Sequence, residues 1–129
     1  MPVITLSNPP AVRAPASRYS HAALVEGARR RLVISGQVGV EPDGGVPATG
    51  EGQIAQAYAN LRAVLEAHGM GIADVVKSTA FLTDRGLIPA YRAARDAVFA
   101  DHAPASTLLV VAGLADPHWV VEIEAEAAQ

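Results

Sequence analysis

The spacing of apolar residues changes several times along this chain, and this change restricts the folds that it can adopt. Helix-type spacing, with apolar residues three and four apart, begins at Ile54 and again at Ile88. Strand-type runs precede, separate and follow these two segments. The predicted strands are 3–6, 21–26, 31–35, 75–83, 107–111 and 120–127. The predicted order is therefore β-β-β-α-β-α-β-β.

Glycine and proline indicate where these elements begin and end. Gly69 follows the first helix and supplies a stop. Pro89 lies in the first turn of the second helix, and Pro104 is expected to end it. Gly27 lies between the second and third strands, which predicts a turn that joins them as a hairpin. The second helix should bury one stripe, formed by Ile88, Tyr91, Ala94 and Val98.

A chain of 129 residues can form one domain with a real core but not two ordinary ones. We predict a single α+β domain over residues 1–129, with one sheet and both helices on one face of it. The face of the sheet opposite the helices must then be covered by something else. The segment 107–111 is apolar on both sides, unlike a strand that is half open to water. An uncovered apolar face is an association surface, so we expect an oligomer.

Charge and cysteine content exclude several classes of function. Ten basic and thirteen acidic residues give a net charge of −3, whereas nucleic-acid-binding proteins carry a basic surplus that neutralises phosphates. We therefore expect no nucleic-acid partner, and we interpret Arg29-Arg30-Arg31 as a solvated turn. Because the chain has no cysteine, disulfides, thiolate metal sites and a cysteine nucleophile are excluded.

Neither a cofactor nor a membrane is indicated by the sequence. The histidines at 21, 68, 102 and 118 lack the paired spacing of a metal site, and no glycine-rich phosphate loop follows a strand. We expect no metal and no cofactor. The N-terminus lacks a signal-peptide pattern, and no apolar run approaches the roughly 18 residues of a membrane span. We expect a cytoplasmic protein without a membrane partner.

Several segments carry a resemblance to a known family. Ser35-Gly36-Gln37 is similar to its Ser-Gly-Gln segment, and the C-terminal motif is the most specific. That motif begins Pro104-Ala105-Ser106-Thr107 and ends, after an apolar strand, in Val121-Glu122-Ile123. Further similar segments are 56–61 (Gln-Ala-Tyr-Ala-Asn-Leu), 72–77 (Ile-Ala-Asp-Val-Val-Lys) and 81–84 (Phe-Leu-Thr-Asp). Over nearly its whole length the chain resembles the RidA/YjgF family.

This resemblance implies a fold, an assembly and a chemistry. The fold is chorismate-mutase-like α+β, and three copies form a homotrimer whose sheets close into a barrel with the helices outside. Small-molecule pockets lie in the clefts between subunits. Family members hydrolyse reactive 2-imino or enamine acids to a 2-keto acid and ammonia. By position, the implied pocket residues are Tyr19, Ser35, Gly36, Ser106, Thr107 and Glu122.

One position departs from the family pattern. Active deaminases carry arginine where this chain has Ser106. Arginine holds a carboxylate through two charge-assisted hydrogen bonds, whereas serine offers one neutral donor. Loss of two such bonds weakens binding by roughly 3–6 kcal/mol, or about two to four powers of ten. Alternatively, the side chain of Arg18 or His21 takes the place of this arginine in binding the carboxylate.

The other implied residues each allow two interpretations. Glu122 either belongs to a solvated acidic face with Glu124 and Glu126, or positions water next to an electrophilic carbon. Tyr19 is either a pocket wall or a half-buried interface aromatic. Gly36, with Ser35, either presents a backbone N–H to a ligand or provides only a turn.

Three functions are compatible with these residues. The first is a hydrolase of the imine or enamine deaminase type, acting through Glu122 on a substrate without a carboxylate. The second is a non-catalytic trimeric module that binds a small metabolite. The third is a ribonuclease or translation inhibitor. The acidic net charge disfavours it because a nucleic-acid backbone is bound by a basic groove, and the low aromatic content of 5% disfavours it because bases stack on aromatic side chains.

Overall fold

The structure, a computed structural model, describes residues 3–129. All the predicted strands and both predicted helices are present, in the predicted order, and the α+β fold is confirmed. The elements are β1 (Ile4–Ser7), β2 (Ala22–Val25), β3 (Arg31–Val38), α1 (Gly50–Ala67), β4 (Val75–Leu82), α2 (Ile88–Phe99), β5 (Ala105–Val110) and β6 (Val121–Ala128).

The strands form two sheets instead of the expected one. A four-stranded sheet has the order β3-β6-β4-β5, and β1 pairs with β2 in a separate two-stranded sheet. Strand β6 is antiparallel to both of its neighbours, while β5 runs parallel to β4. The two sheets meet at an isolated bridge between Ser20 and Ala105.

The predicted hairpin between β2 and β3 is wrong. Gly27 does adopt a left-handed φ of +66°, as a turn requires, but the chain leaves that turn towards β6. The amides of Arg29 and Arg30 both donate to the carbonyl of Gln129, at 2.8 and 3.0 Å. These bonds start β3 beside the end of β6, so β2 is left to pair with β1.

Helix α1 buries apolar residues that recur three and four apart from Ile54 onward, but it begins earlier than this spacing indicates. The Thr49 side chain caps it by accepting a hydrogen bond from the Gly52 amide at 3.0 Å, which satisfies one free N–H of the first turn. At the other end Gly69 has a φ of +69°, and the Met70 amide donates to the Leu65 carbonyl at 2.9 Å. Gly69 therefore ends the helix as predicted.

Helix α2 departs from its predicted stripe and from its predicted end. Its buried residues are Tyr91, Arg95 and Phe99, whereas Ile88, Ala94 and Val98 are only partly buried. The helix ends before Ala100, which has a φ of +50°, and not at Pro104. The buried face is thus centred on an arginine that helical spacing alone did not select.

The core lies between the helices and one face of the four-stranded sheet. Helix α1 packs against β3, β6 and α2, and Leu61, Leu65 and Ile123 are fully buried there. Gln53 is also buried. Its Nε2 donates to the His118 carbonyl at 3.1 Å, and its Oε1 accepts from the Val120 amide at 3.0 Å. These bonds fix the start of α1 to the segment that leads into β6, and thereby position β6.

The opposite face of this sheet is uncovered within residues 3–129. It presents the glutamates of β6 together with Val33 and Leu109, which are 65% and 45% exposed. No helix in this part of the chain is long and apolar enough to cross a membrane.

Candidate functional site

Glu122 and Gly36 lie together on the uncovered face of the sheet. Val38 of β3 pairs with Glu122 of β6, and a register shift between Ile34 and Gln37 creates a bulge around Gly36. A Cβ at Gly36 would lie 2.8 Å from both Cγ and Cδ of Glu122. Gly36 is therefore inside a strand and not in a turn, and glycine is needed there because the Glu122 side chain lies directly over it.

An open cleft of about 310 Å³ surrounds this pair, within the size range of small-molecule sites. The polar side chains of its wall are two carboxylates, Glu122 and Glu124, and Phe81 contributes an aromatic ring. Its remaining lining consists of Gly36, Val111, Gly113 and Leu114. No basic side chain lines the cleft, so it is suited to a ligand that is neutral or positively charged.

The three glutamates of β6 differ in their partners. Glu126 forms a salt bridge with Arg31 at 3.0 Å. Over residues 3–129, neither Glu122 nor Glu124 has a side-chain hydrogen bond or a salt bridge. The acidic face is therefore neutralised at one end and carries unpaired charge at the end where the cleft lies.

Tyr19, Ser106 and Thr107 form a second group at the edge strand β5. The Ser20 amide donates to the Pro104 carbonyl at 3.2 Å, which places Tyr19 beside the start of β5. Thr107 accepts a hydrogen bond from Lys77 Nζ at 2.6 Å. Ser35, in contrast, is exposed on β3 next to Gly36, with the first group.

Ser106 and Glu122 lie on opposite faces of the sheet within one protomer. Ser106 pairs with Ser78 of β4, which pairs in turn with Ala125, and both of these partners are buried on the helix side. Glu122 pairs with Phe81 on the uncovered side. Since successive strand residues alternate between faces, one chain alone does not bring these two side chains into one cleft.

The two suggested substitutes for the family arginine behave differently. Arg18 lines the same small cavity as Ser106, but its Nη1 donates to the α2 carbonyls of Asp96 and Ala100 at 3.4 and 3.0 Å. His21 turns away and bonds through Nε2 to the Arg13 carbonyl at 2.5 Å. Arg18 is therefore near residue 106 but is engaged with the end of α2.

The pKa values that are clearly perturbed belong to groups outside both clusters. Burial raises the pKa of Tyr58 far above its usual range, which keeps that hydroxyl protonated. A hydrogen bond from the His118 backbone lowers the pKa of Asp116. Within residues 3–129, no group of three or more His, Asp or Glu side chains is arranged to hold a metal ion.

The fold and the C-terminal motif define the class of protein. The family model described as Endoribonuclease L-PSP matches residues 10–129. The chain is 36% identical over 100 residues to 2-iminobutanoate/2-iminopropanoate deaminase of Escherichia coli (strain K12), covering 74% of this chain and 76% of that protein. It is 34% identical over 129 residues to the deaminase of the same name from Rattus norvegicus, covering 98% of this chain and 89% of that protein.

The solved structures agree with this classification. The crystal structure of YyfB from Yersinia pestis, described as a protein of unknown function of the conserved Rid family, superposes with a TM-score of 0.89 at 29% identity. The superposition covers 98% of this chain and 99% of that one. The chain belongs to the RidA/YjgF family.

Sequence reasoning did not identify three residues that line the two sites. Phe81 and Glu124 line the cleft with Glu122 because the pairing of β4 with β6 brings them to one face. Period-two spacing predicts that Glu124 lies on the same face as Glu122. The presence of Phe81 on that face follows only from the pairing of β4 with β6. Arg95, which lies beside Ser106, has no sequence signal, since an arginine on a helix is ordinarily exposed.

We predict that Gly36→Ala displaces the Glu122 carboxylate without unfolding the protein. The clash is with a flexible side chain, so the free energy of unfolding should change by less than about 1 kcal/mol. Crystal structures and denaturant unfolding of the variant check both points. Gly113→Ala is the matched control, because a Cβ at Gly113 meets no atom within 4 Å. An unmoved Glu122 in Gly36→Ala would contradict the prediction.

Proposed function

We propose that this protein is a homotrimeric hydrolase of the imine or enamine deaminase type, acting on a neutral or cationic substrate that lacks a carboxylate. The observation that carries the proposal is the unpaired Glu122 carboxylate over Gly36, in a cleft with no basic side chain. A binding site for an anionic 2-imino acid needs a cation, and this cleft offers two carboxylates instead.

The uncovered sheet face supports assembly with other copies of the chain. Val33 and Leu109 are highly exposed there, and Phe81 lies on the same face. Burial of apolar area is the main driving force for association, at roughly 25 cal/mol per Å². In the proposed trimer the three sheets pack against one another at this face and the helices stay outside.

A trimer also provides the second half of the pocket. In the proposed arrangement, Tyr19, Ser106 and Thr107 of one protomer face the cleft of the next protomer. That cleft contributes Ser35, Gly36 and Glu122. Ser106 and Glu122 lie on different faces of a single protomer, so a pocket that contains both requires two chains at each of the three interfaces.

Glu122 has the role of a general base in this proposal. It accepts a proton from a bound water while the water oxygen attacks the carbon of the C=N bond, giving a tetrahedral carbinolamine. The proton then passes to the nitrogen, Glu122 accepts the hydroxyl proton of the carbinolamine as the C–N bond breaks, and ammonia leaves with a carbonyl product. Glu122 afterwards releases its proton to solvent. One water is consumed for each C=N bond cleaved, so no cofactor is needed.

The identity of residue 106 sets the substrate class. The Escherichia coli and rat relatives are named for 2-iminobutanoate and 2-iminopropanoate, which carry a carboxylate. Ser106 cannot supply the bidentate contact of an arginine. Arg18 is engaged with the α2 carbonyls and the cavity beside Ser106 holds about 10 Å³, too little for a carboxylate group. Retention of an anionic substrate is therefore expected to be poor.

The second candidate function is a non-catalytic trimeric module that binds a small metabolite in the same clefts. It is favoured by the substitution at Ser106, which removes the family residue with the clearest role in substrate binding. The ribonuclease or translation-inhibitor role ranks last. The net charge of −3 and the unpaired carboxylates of the cleft would repel a phosphate backbone.

We expect Glu122→Gln to abolish turnover on a panel of imines and enamines without a carboxylate, because glutamine cannot accept the proton from water. The rate should fall by about two to four powers of ten while thermal stability is retained. Glu126→Gln is the matched control, since Glu126 is on the same face but paired with Arg31, and it should keep full activity. Saturable ligand binding without turnover in the wild type would favour the binding module.

The wild type should hydrolyse 2-iminobutanoate at least about a hundredfold less efficiently than an arginine-containing relative, because the bidentate contact is missing. Ser106→Arg should raise kcat/KM for this substrate. The comparison uses ammonia release with 2-iminobutanoate generated in place, and Ala63→Arg, at an exposed position of α1, is the control. Wild-type turnover equal to that of the relative would show that the carboxylate is held by another group.

A further inference from the structure

Tyr19 lies in a short segment, residues 17–20, that runs between the end of α2 and the start of β5. The Ser20 amide donates to the Pro104 carbonyl at 3.2 Å, and the Tyr19 amide donates to the Ser17 carbonyl at 3.0 Å. Both bonds are made by the backbone. The place of the Tyr19 side chain therefore depends on what holds the segment as a whole.

Arg95 is the buried side chain that reaches this segment from α2. It is 7% exposed, and its Nη1 donates to Ser17 Oγ at 3.3 Å. Its Nε donates to Asp96 Oδ1 at 3.1 Å, and its Nη2 lies 3.0 Å from the same oxygen. The guanidinium carbon also lies 5.9 Å from the centroid of the Tyr91 ring, within the range of a cation–π contact. The guanidinium is thus fixed on α2 and extends one nitrogen to Ser17.

Arg18 connects the same two elements in the opposite direction. Its Nη1 donates to the carbonyls of Asp96 and Ala100 at 3.4 and 3.0 Å, at the end of α2 where the helix dipole favours a positive charge. The Arg18 side chain is 52% exposed, whereas that of Arg95 is 8% exposed. Solvent screens exposed charges, so Arg95 provides the connection that water does not weaken.

We infer that Arg95 is a positioning residue for the half of the proposed pocket that Tyr19 and Ser106 supply. Its bond to Ser17 fixes the Tyr19 segment relative to α2, and its side chain lies beside Ser106. Without this bond the segment is held by the exposed Arg18 and by the backbone. The inference rests on the proposed function, because that function places Tyr19 in the pocket. Arg95 itself takes no part in proton transfer.

Ser17→Ala tests the inference with little risk to folding, because Ser17 is only partly buried and Arg95 stays in place. The substrate is propan-2-imine, in which a methyl group replaces the carboxylate of 2-iminopropanoate. KM should rise by about tenfold, the scale of one aromatic contact or one hydrogen bond. The value of kcat, which depends on Glu122, should stay near that of the wild type, because only substrate binding is weakened.

Two substitutions of Arg95 and one control complete the kinetic test. Arg95→Met should raise KM at least as much as Ser17→Ala, and Arg95→Lys should restore part of the loss because it keeps a donor. Arg92→Met, at an exposed position of the same helix, should leave KM unchanged. An unchanged KM in both Ser17→Ala and Arg95→Met contradicts the inference, and so does a fall in kcat alone.

Fluorine NMR of protein labelled with 3-fluorotyrosine reports on Tyr19 without a substrate. The chain has three tyrosines, of which Tyr58 and Tyr91 are 2% and 1% exposed, and Tyr19→Phe assigns the third resonance. Arg95→Met should shift or broaden the Tyr19 resonance. The same substitution in a Ser17→Ala background should have no further effect on it, because the connection is already broken. An unmoved Tyr19 resonance, or an equal shift in both backgrounds, overturns the inference.

The two measurements separate this inference from the proposed function. A Tyr19 resonance that responds as expected, in a protein that hydrolyses none of the imines and enamines tested, supports the positioning role of Arg95 and contradicts the deaminase proposal. Turnover together with an unresponsive Tyr19 resonance has the reverse meaning.

Discussion

The alternation of apolar and acidic residues over positions 121–127 of β6 (Val121–Ala128) controls the arrangement of the rest of the molecule. Ile123 and Ala125 are buried beneath the helices, while Glu122 and Glu124 point to the other face. Because β6 lies between β3 and β4, its orientation fixes the orientation of both neighbours. A slip of one residue would place carboxylates in the core, at a cost that no surrounding group could offset. The acidic face is therefore a fixed property of the fold.

That constraint separates the chain's recognisable residues into two groups. Glu122 and Gly36 share a cleft on the acidic face, and Ser106 faces α2 on the other side, next to Arg95. Residue 106 is a serine, and the guanidiniums of Arg18 and Arg95 beside it are bound to the end of α2 and to Asp96. In the proposed function, Glu122 activates water, and no cation holds a carboxylate of the substrate. The proposed substrate class follows from this difference.

Local spacing was enough to predict the element order, the first helix and the approximate extent of β6, because each depends on residues close in sequence. Strand pairing could not be predicted in this way. The β2–β3 hairpin fails because the amides of Arg29 and Arg30 bond to Gln129, about a hundred residues away. The buried Arg95 depends on Asp96 and Ser17, and its burial is favourable only once the tertiary structure supplies these partners. The face that Ser106 occupies depends on the register of β5 against β4.

In the proposed trimer, Ser106 of one protomer and Glu122 of another complete a shared pocket. The chain has no cysteine, so Ser106→Cys and Glu122→Cys introduce the only thiols, and a short bismaleimide can join them. We expect covalent dimers when the two single variants are mixed and reassembled, and linked trimers in the double variant, with neither product from a single variant alone. A double variant that stays at the mass of one chain would contradict it.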